Sequence, residues 1–246
     1  MIMTIYRFSS IIAILSIVTA CASGSVPSDH IYDPFEETNR QIHEFNKTVD
    51  AIALAPSADV YGAFVPEEIR DIVDNGANNL ALPGQAVNHV LQGQVLHALQ
   101  TTVRFAINST IGLAGLFDPA SDFGLFEIPT NFGDTLNIYG FAEGPYLELP
   151  LIGGSTARGT VGIVVDFMID PLRQFIPSPE REYLFVLKGP NIVGDRHTYS
   201  DLFNVLLYES ADSYASQRIA YLQNMRHNVQ NELVIENLED PFAFDY

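Results

Sequence analysis

The chain has 246 residues, with 12 Lys+Arg against 30 Asp+Glu and a formal net charge of −18. That balance excludes a nucleic-acid binder, which needs a basic stripe to release counterions from phosphates, and it excludes a polybasic patch for anionic lipid. At 47% apolar the chain is too hydrophobic to stay disordered, and its single cysteine rules out an internal disulfide framework or a multi-cysteine metal site.

Arg7 is the only charge before Asp29, and an apolar run from Phe8 to Val18 follows it, ending in Thr19-Ala20-Cys21. A positive start, a short apolar stretch and small residues before a cut predict a signal peptide over residues 1–20. The run is too short for a transmembrane helix of about 20 residues. Val18-Thr19-Ala20-Cys21 resembles the bacterial lipobox, whose cysteine is acylated and becomes the first mature residue. An ordinary signal peptide that leaves a free or buried thiol is the alternative. The chain's only cysteine falls at the cut, which favours lipidation at Cys21, and two or more acyl chains anchor a protein stably. Ala22, next after the cysteine, fits outer-membrane delivery.

Residues 22–32 are small and polar, so residues 21–32 read as an acylated cysteine on a flexible tether. Asp33-Pro34-Phe35-Glu36 predicts a helix start, with Asp33 as N-cap and Pro34 in the first turn. Phe35, Ile42, Phe45, Val49 and Ile52 then share one helical face, while Asn39, His43, Asn46 and Asp50 form a polar stripe beside it. Pro66 opens a second predicted helix over 66–80 and Pro83 a third over 84–107. A fourth is expected over 155–168, and shorter ones between 180 and 234. No strand-rich region, repeat or clear linker interrupts the pattern. The expected fold is all-α, one domain over 33–228 with long Gly/Pro-rich loops, followed by an acidic tail over 229–246.

Between Asp74 and Asp118, Arg104 is the only Asp, Glu, Lys or Arg. The third predicted helix is apolar over more than half its circumference (Val87, Val90, Leu91, Val95, Leu99, Val103). Such a helix lies deep in a core or in lipid. No mature segment has 18 consecutive apolar residues, so the lipid version is monotopic, seated in one leaflet. Arg104 then needs a partner, either an acidic side chain or a lipid phosphate.

Catalytic patterns are missing. There is no G-x-S-x-G elbow, no phosphate loop, no G-x-G-x-x-G and no H-E-x-x-H. His89 and His97 can share a helix face, an arrangement that reads more readily as a polar seam than as a metal pair. No metal and no cofactor is expected.

The motifs from Asp33 onward, taken in order, resemble the MlaA/VacJ family of outer-membrane lipoproteins. They include Asp33-Pro34-Phe35-Glu36, Asn39-Arg40, Phe45-Asn46, Leu91-Gln92-Gly93 and Arg104-Phe105-x-x-Asn108-Ser-Thr-x-Gly112-x-x-Gly115-x-x-Asp118. Phe132-Gly133-x-Thr135-Leu136 follows, then Gly144-Pro145-Tyr146-x-x-Leu149-Pro150-x-x-Gly153-x-Ser155-x-x-Arg158. Asp212-x-Tyr214-x-x-x-Arg218 and Tyr221-x-Gln223 close the set. Asp33, Pro34, Asn108, Gly112, Gly144, Pro145, Tyr146, Pro150 and Arg158 are the motif positions expected to be structural. Gly159 departs from the pattern, standing where the family usually has Asp, and Ser213 stands where Pro is common.

The resemblance implies a ring of amphipathic helices in the inner leaflet of the outer membrane of a Gram-negative bacterium, around a central channel. It implies work beside a trimeric porin and delivery of phospholipid to a soluble periplasmic carrier. The implied role is removal of phospholipid misplaced in the outer leaflet, by a non-enzymatic route. A purely structural lipoprotein and a phospholipid hydrolase are the alternatives. Asn39, His43, Asn46 and Arg104 are candidates for the lipid passage, with helix-to-helix hydrogen bonding as the competing reading of the Asn/His stripe. The loop from Asp118 to Leu136 is a candidate gate, because Gly and Pro punctuate apolar Phe123, Leu125, Phe126 and Ile128. Alternatively those side chains simply pack down on the ring.

Overall fold

The computed structural model describes residues 31–178 and 188–239. Cys21, the signal peptide, nearly all of the tether and residues 240–246 of the acidic tail lie outside the described residues. Helix α1 spans Glu36–Val49 and passes through a π-helical turn, Asp50–Leu54, into α2 at Ala55–Phe64. Asp33 does not cap α1, contrary to expectation, since the N-cap position falls on Phe35 and has no side-chain cap. The Asp33 carboxylate is engaged instead by Asn39, Tyr214 and Arg218, the last two from the far end of the chain. A partly buried pair with a guanidinium outweighs a first-turn cap.

Two expected helices prove to be divided differently. Helix α3 runs without a break over Glu67–Leu91 with Pro83 inside it, and α4 covers Val95–Thr110. Pro83 removes one intrahelical bond but does not start a helix. The chain turns ten residues later at Gly93, whose φ of +78° ends α3 in the left-handed region open to glycine. The two helices pack as an antiparallel hairpin. A tight loop follows, with Leu113, Ala114 and Gly115 all at positive φ. Gly112 has no room for a side chain there, since a Cβ would lie 2.4 Å from the Phe117 carbonyl oxygen.

Short helices α5 (Pro119–Asp122) and α6 (Phe132–Ile138) lead to a correction of the all-α expectation. Tyr146–Leu149 (β1) and Gly153–Thr156 (β2) form an antiparallel hairpin, with Tyr146 opposite Thr156 and Leu149 opposite Gly153. Strands of four residues carry too little alternation to be seen as periodicity, and Tyr146 and Glu148 are the inward pair. The motif residues frame this hairpin. Gly144 has φ +71°, the Pro145 carbonyl accepts from Ala157 N, and Pro150 enters the turn. The fourth expected helix is present as α7 (Ala157–Ile169), N-capped by Thr156, and α8 (Pro171–Phe175) follows it. Next come α9 (Lys188–Thr198), α10 (Ser200–Asn204), a second π-helical turn (Val205–Glu209) and α11 (Ser213–Glu239). The last is one long helix, not several short ones, and it runs on past residue 228.

The burial pattern is inverted. Among the described residues sixteen buried side chains are polar or charged and nine are apolar, with a small apolar core of Tyr146, Tyr214 and Leu222. Along α1 and into the π turn after it the Asn39–His43–Asp50 stripe faces inward, with Asn39 2% exposed, while Phe35 at the N-cap and Phe45 point out and Ile52 beyond them is 73% exposed. The α3–α4 hairpin behaves alike. Asn79, Asn88, His89, Thr101, Arg104 and Asn108 are buried, whereas Val90, Val95, Leu96 and Leu99 are exposed. Its apolar surface is therefore not the interior of a core. A protein folded in water places these classes the other way round.

Candidate functional site

Two polar seams organise the interior. In the first, α1 docks on the hairpin through asparagines that mimic a neighbouring strand. Asn39 Oδ1 accepts from Glu148 N at 3.0 Å, and its Nδ2 donates to Tyr146 O at 3.1 Å. Asn46 repeats this seven residues on, donating to Leu149 O at 3.0 Å and accepting from Leu151 N at 2.7 Å. Buried Glu148 accepts from Gln217 Nε2 at 3.1 Å and from the Tyr146 hydroxyl. Burial, then that bond, pushes the Tyr146 hydroxyl far above its ordinary pKa. His43 Nε2 lies 2.9 Å from Ser213 Oγ.

At the end of this seam the two π-helical turns meet. Asp50 receives Arg196 Nε at 2.8 Å and Nη2 at 3.1 Å, plus the Tyr208 hydroxyl at 2.7 Å. Each π turn carries one of these residues, so the locally widened turns aim Asp50 and Tyr208 at a shared buried guanidinium. Burial and the Asp50 bond raise the Tyr208 hydroxyl to about 12.

The second seam holds the loop expected to act as a gate. Arg104, 4% exposed, donates to Asp118 at 3.1 Å and to Ser121 at 3.1 Å. The partner that the sequence required for this lone charge is thus an acidic side chain. Asn108 completes the knot, donating to Asp118 at 2.8 Å and accepting from Ala120 N at 3.1 Å. Burial pushes the Asp118 carboxyl up, but hydrogen bonds from Ser121 and Asn108 and the Arg104 charge outweigh it, leaving it below the usual carboxylate range.

Beyond Asp118 the loop is tied down carbonyl by carbonyl. Arg104 reaches Leu125 O, Gln100 donates to Phe126 O at 2.7 Å, and His89 Nε2 sits 3.0 Å from Ile128 O. Gln92 also holds Thr130 at 2.7 Å. Burial holds His89 below its ordinary pKa, although hydrogen bonds to Gln94 and Ile128 oppose that shift. Phe123 and Phe126 project outward, Phe126 at 67% exposure, while Leu125 and Ile128 are half-buried.

The structure therefore brings Asn39, His43 and Asn46 together and puts Arg104 in the other seam. Their hydrogen bonds run to neighbouring elements of the protein, as in the competing helix-packing reading. Arg158 clamps α6 to α7 through Asn137 Oδ1 at 2.7 Å and Phe141 O at 2.9 Å, and the carboxylates of Glu143 and Asp134 favour its charge. A Cβ at Gly159 would lie 3.1 Å from Ser155 Oγ and 3.3 Å from the Tyr221 hydroxyl, so a side chain there would press on these polar neighbours. Sequence reasoning missed a cavity of about 360 Å³ between α3 and the α7–α8 corner, bordered by Gly84, Asn88, Asp166 and Arg173. One signal was available, since Asp166 is the only charge between Arg158 and Asp170. Among the described residues no helix is long and apolar enough to cross a membrane.

The sequence profile of the MlaA lipoprotein family matches residues 31–228. The chain belongs to that family. It is similar to the intermembrane phospholipid transport system lipoprotein MlaA of Escherichia coli, with 30% identity over 245 residues, 96% of this chain and 94% of that protein. The Haemophilus influenzae lipoprotein of the same name shares 32% over 212 residues, 84% and 83% of the two chains. An uncharacterized protein of Rickettsia typhi shares 33% over 201 residues, 81% and 79%. A solved chain from work on the structural basis for maintenance of bacterial outer membrane lipid asymmetry superposes with a TM-score of 0.68 at 30% identity. That match covers 80% of this chain and 98% of the other.

Proposed function

We propose that this MlaA family member removes phospholipid misplaced in the outer leaflet of the outer membrane and passes it toward the periplasm. The observation that carries the reading is the inverted burial of the helices, polar inward and apolar outward. Apolar faces such as those of α3 and α4 hold the protein within the inner leaflet, since exposing them to water costs about 25 cal/mol per Å². Cys21 supplies the acyl anchor. A ring of helices then surrounds a polar passage, beside a trimeric porin and facing a soluble periplasmic carrier. The family is one of transport lipoproteins and not of enzymes, so hydrolysis has no place in the reading.

Within this proposal Asn39, His43, Asn46 and Arg104 flank the passage and keep its walls in register, because their hydrogen bonds are made to neighbouring elements. The loop from Asp118 to Leu136 is the gate, and opening it means releasing the carbonyls of Leu125, Phe126 and Ile128. Surface phospholipid in cells lacking the protein tests the whole reading. It should rise on deletion and fall again with wild type but not with Cys21→Ala. An unchanged leaflet would remove the transport role and leave a structural lipoprotein. Locking the loop to α4 with an engineered disulfide tests the gate, and unchanged lipid export would reject it.

A further inference from the structure

The cavity between α3 and the α7–α8 corner is amphipathic. Leu80, Ile163 and Phe167 form its apolar wall, and Ile163 and Phe167 also belong to the exposed apolar face of α7 together with Val164 and Met168. The interior of the cavity is thus continuous with a surface suited to acyl chains. A Cβ on Gly84 meets nothing within 4 Å, so the α3 backbone borders open space.

The charges in the lining are unbalanced. Asp166 accepts from Asn88 Nδ2 at 2.7 Å and from Phe132 N at 3.0 Å, both neutral donors. A carboxylate offers about four acceptor sites, so capacity remains for a further donor. Asp170 also lines the cavity, and Arg173 lies 3.8 Å from it with its guanidinium 3.8 Å above the Phe167 ring. Among the described lining residues two carboxylates face one guanidinium. Burial first, and the charge of Asp170 as well, push the Asp166 carboxyl above its ordinary pKa. A bound cation relieves both effects.

We propose that this cavity selects the headgroup of an aminophospholipid: a primary ammonium between Asp166 and Asp170, its phosphate toward Arg173, and its chains leaving over Ile163 and Phe167. The proposal rests on the phospholipid-transport reading and adds the headgroup class. Phosphatidylglycerol has no ammonium and brings a net negative charge toward two carboxylates.

The test uses the full acylated protein in mild detergent, equilibrated with equimolar phosphatidylethanolamine and phosphatidylglycerol. A carbodiimide then couples any carboxylate touching a lipid amine, and peptide mass spectrometry maps the amide. The expected result is an amide at Asp166 or Asp170 and about tenfold more phosphatidylethanolamine retained, equivalent to ~1.4 kcal/mol. Asp166→Asn should abolish the preference. Gly84→Leu, whose Cβ enters open space at the cavity, should abolish the amide, with an unchanged melting midpoint as the check that the fold is intact. Equal retention of the two lipids, or an amide and preference that survive Gly84→Leu, overturns the proposal while leaving transport intact. Retention of neither lipid removes the transport reading along with it.

Discussion

The two polar seams are held by different mixtures of bonds. Around α1 a buried ion pair, Asp50–Arg196, joins the π turn to α9, and a partly buried one, Asp33–Arg218, joins the segment before α1 to α11. Along the loop after Asp118 most ties are neutral side chains, as with Gln100 on Phe126 O, although the Arg104 guanidinium also holds Leu125 O. Breaking a buried charge pair strands an uncompensated ion, whereas a freed carbonyl at an exposed loop is met by water. The first seam is expected to open only with global unfolding, and the second piecemeal.

The largest effect expected is from Asp50→Ala, which leaves Arg196 buried without its carboxylate. A loss of about 3–5 kcal/mol follows from removing one member of such a pair, read as a drop in the melting midpoint of the purified protein. Adding Arg196→Met should restore much of it, and a double variant as unstable as the single one would break the contrast. Asn39→Ala comes next, orphaning Glu148 N and Tyr146 O. It should cost about 2–3 kcal/mol by the same melting measurement.

Gln100→Ala sharpens the comparison from the other side. Global melting should move by no more than about 1 kcal/mol, while hydrogen exchange at residues 123–130 accelerates. If global stability falls as far as in Asn39→Ala, the loop opens only with global unfolding.

Acid should loosen the loop through Asp118. Its folded-state pKa lies below the unfolded value of about 3.9, so its contribution is complete above that value and is lost as pH falls through the folded one. Asp118→Asn at pH 7 should reproduce the loss of loop protection that acid produces in wild type, compared after correction for the intrinsic exchange rate at each pH. The smallest effect is expected at the exposed Arg40–Asp212 pair, although Arg40 holds that carboxyl at about 2. Solvent screening limits such pairs to about 0.5 kcal/mol, so Arg40→Ala should melt almost as wild type, with the small difference vanishing in salt.

Legibility of the site followed the range of the interactions. Arg104 stood out because a lone charge in an uncharged stretch must find a partner, and Asp118 is only fourteen residues away. The carboxylates of Arg218 and Arg226 lie 185 and 83 residues off in sequence, at Asp33 and Glu143, and no local rule selects them from thirty acids. The hairpin escaped notice because four-residue strands carry almost no periodicity. Pro83 misled because a long helix packed against α4 tolerates one missing bond.

From the sequence alone came the family, the lipidation pattern at Cys21, the helical character of α1, α3, α4 and α7, and the uncharged belt with its one arginine. Those properties are written in local periodicity and in ordered motifs. Tertiary structure alone decided which face of each helix turns inward, because an amphipathic stripe has the same period whether water or lipid lies outside. It also decided that the asparagines of α1 bond to the hairpin backbone, that two π turns share Arg196, and that Asp166 borders a cavity. Each of these depends on chain segments far apart in sequence approaching within a few ångströms.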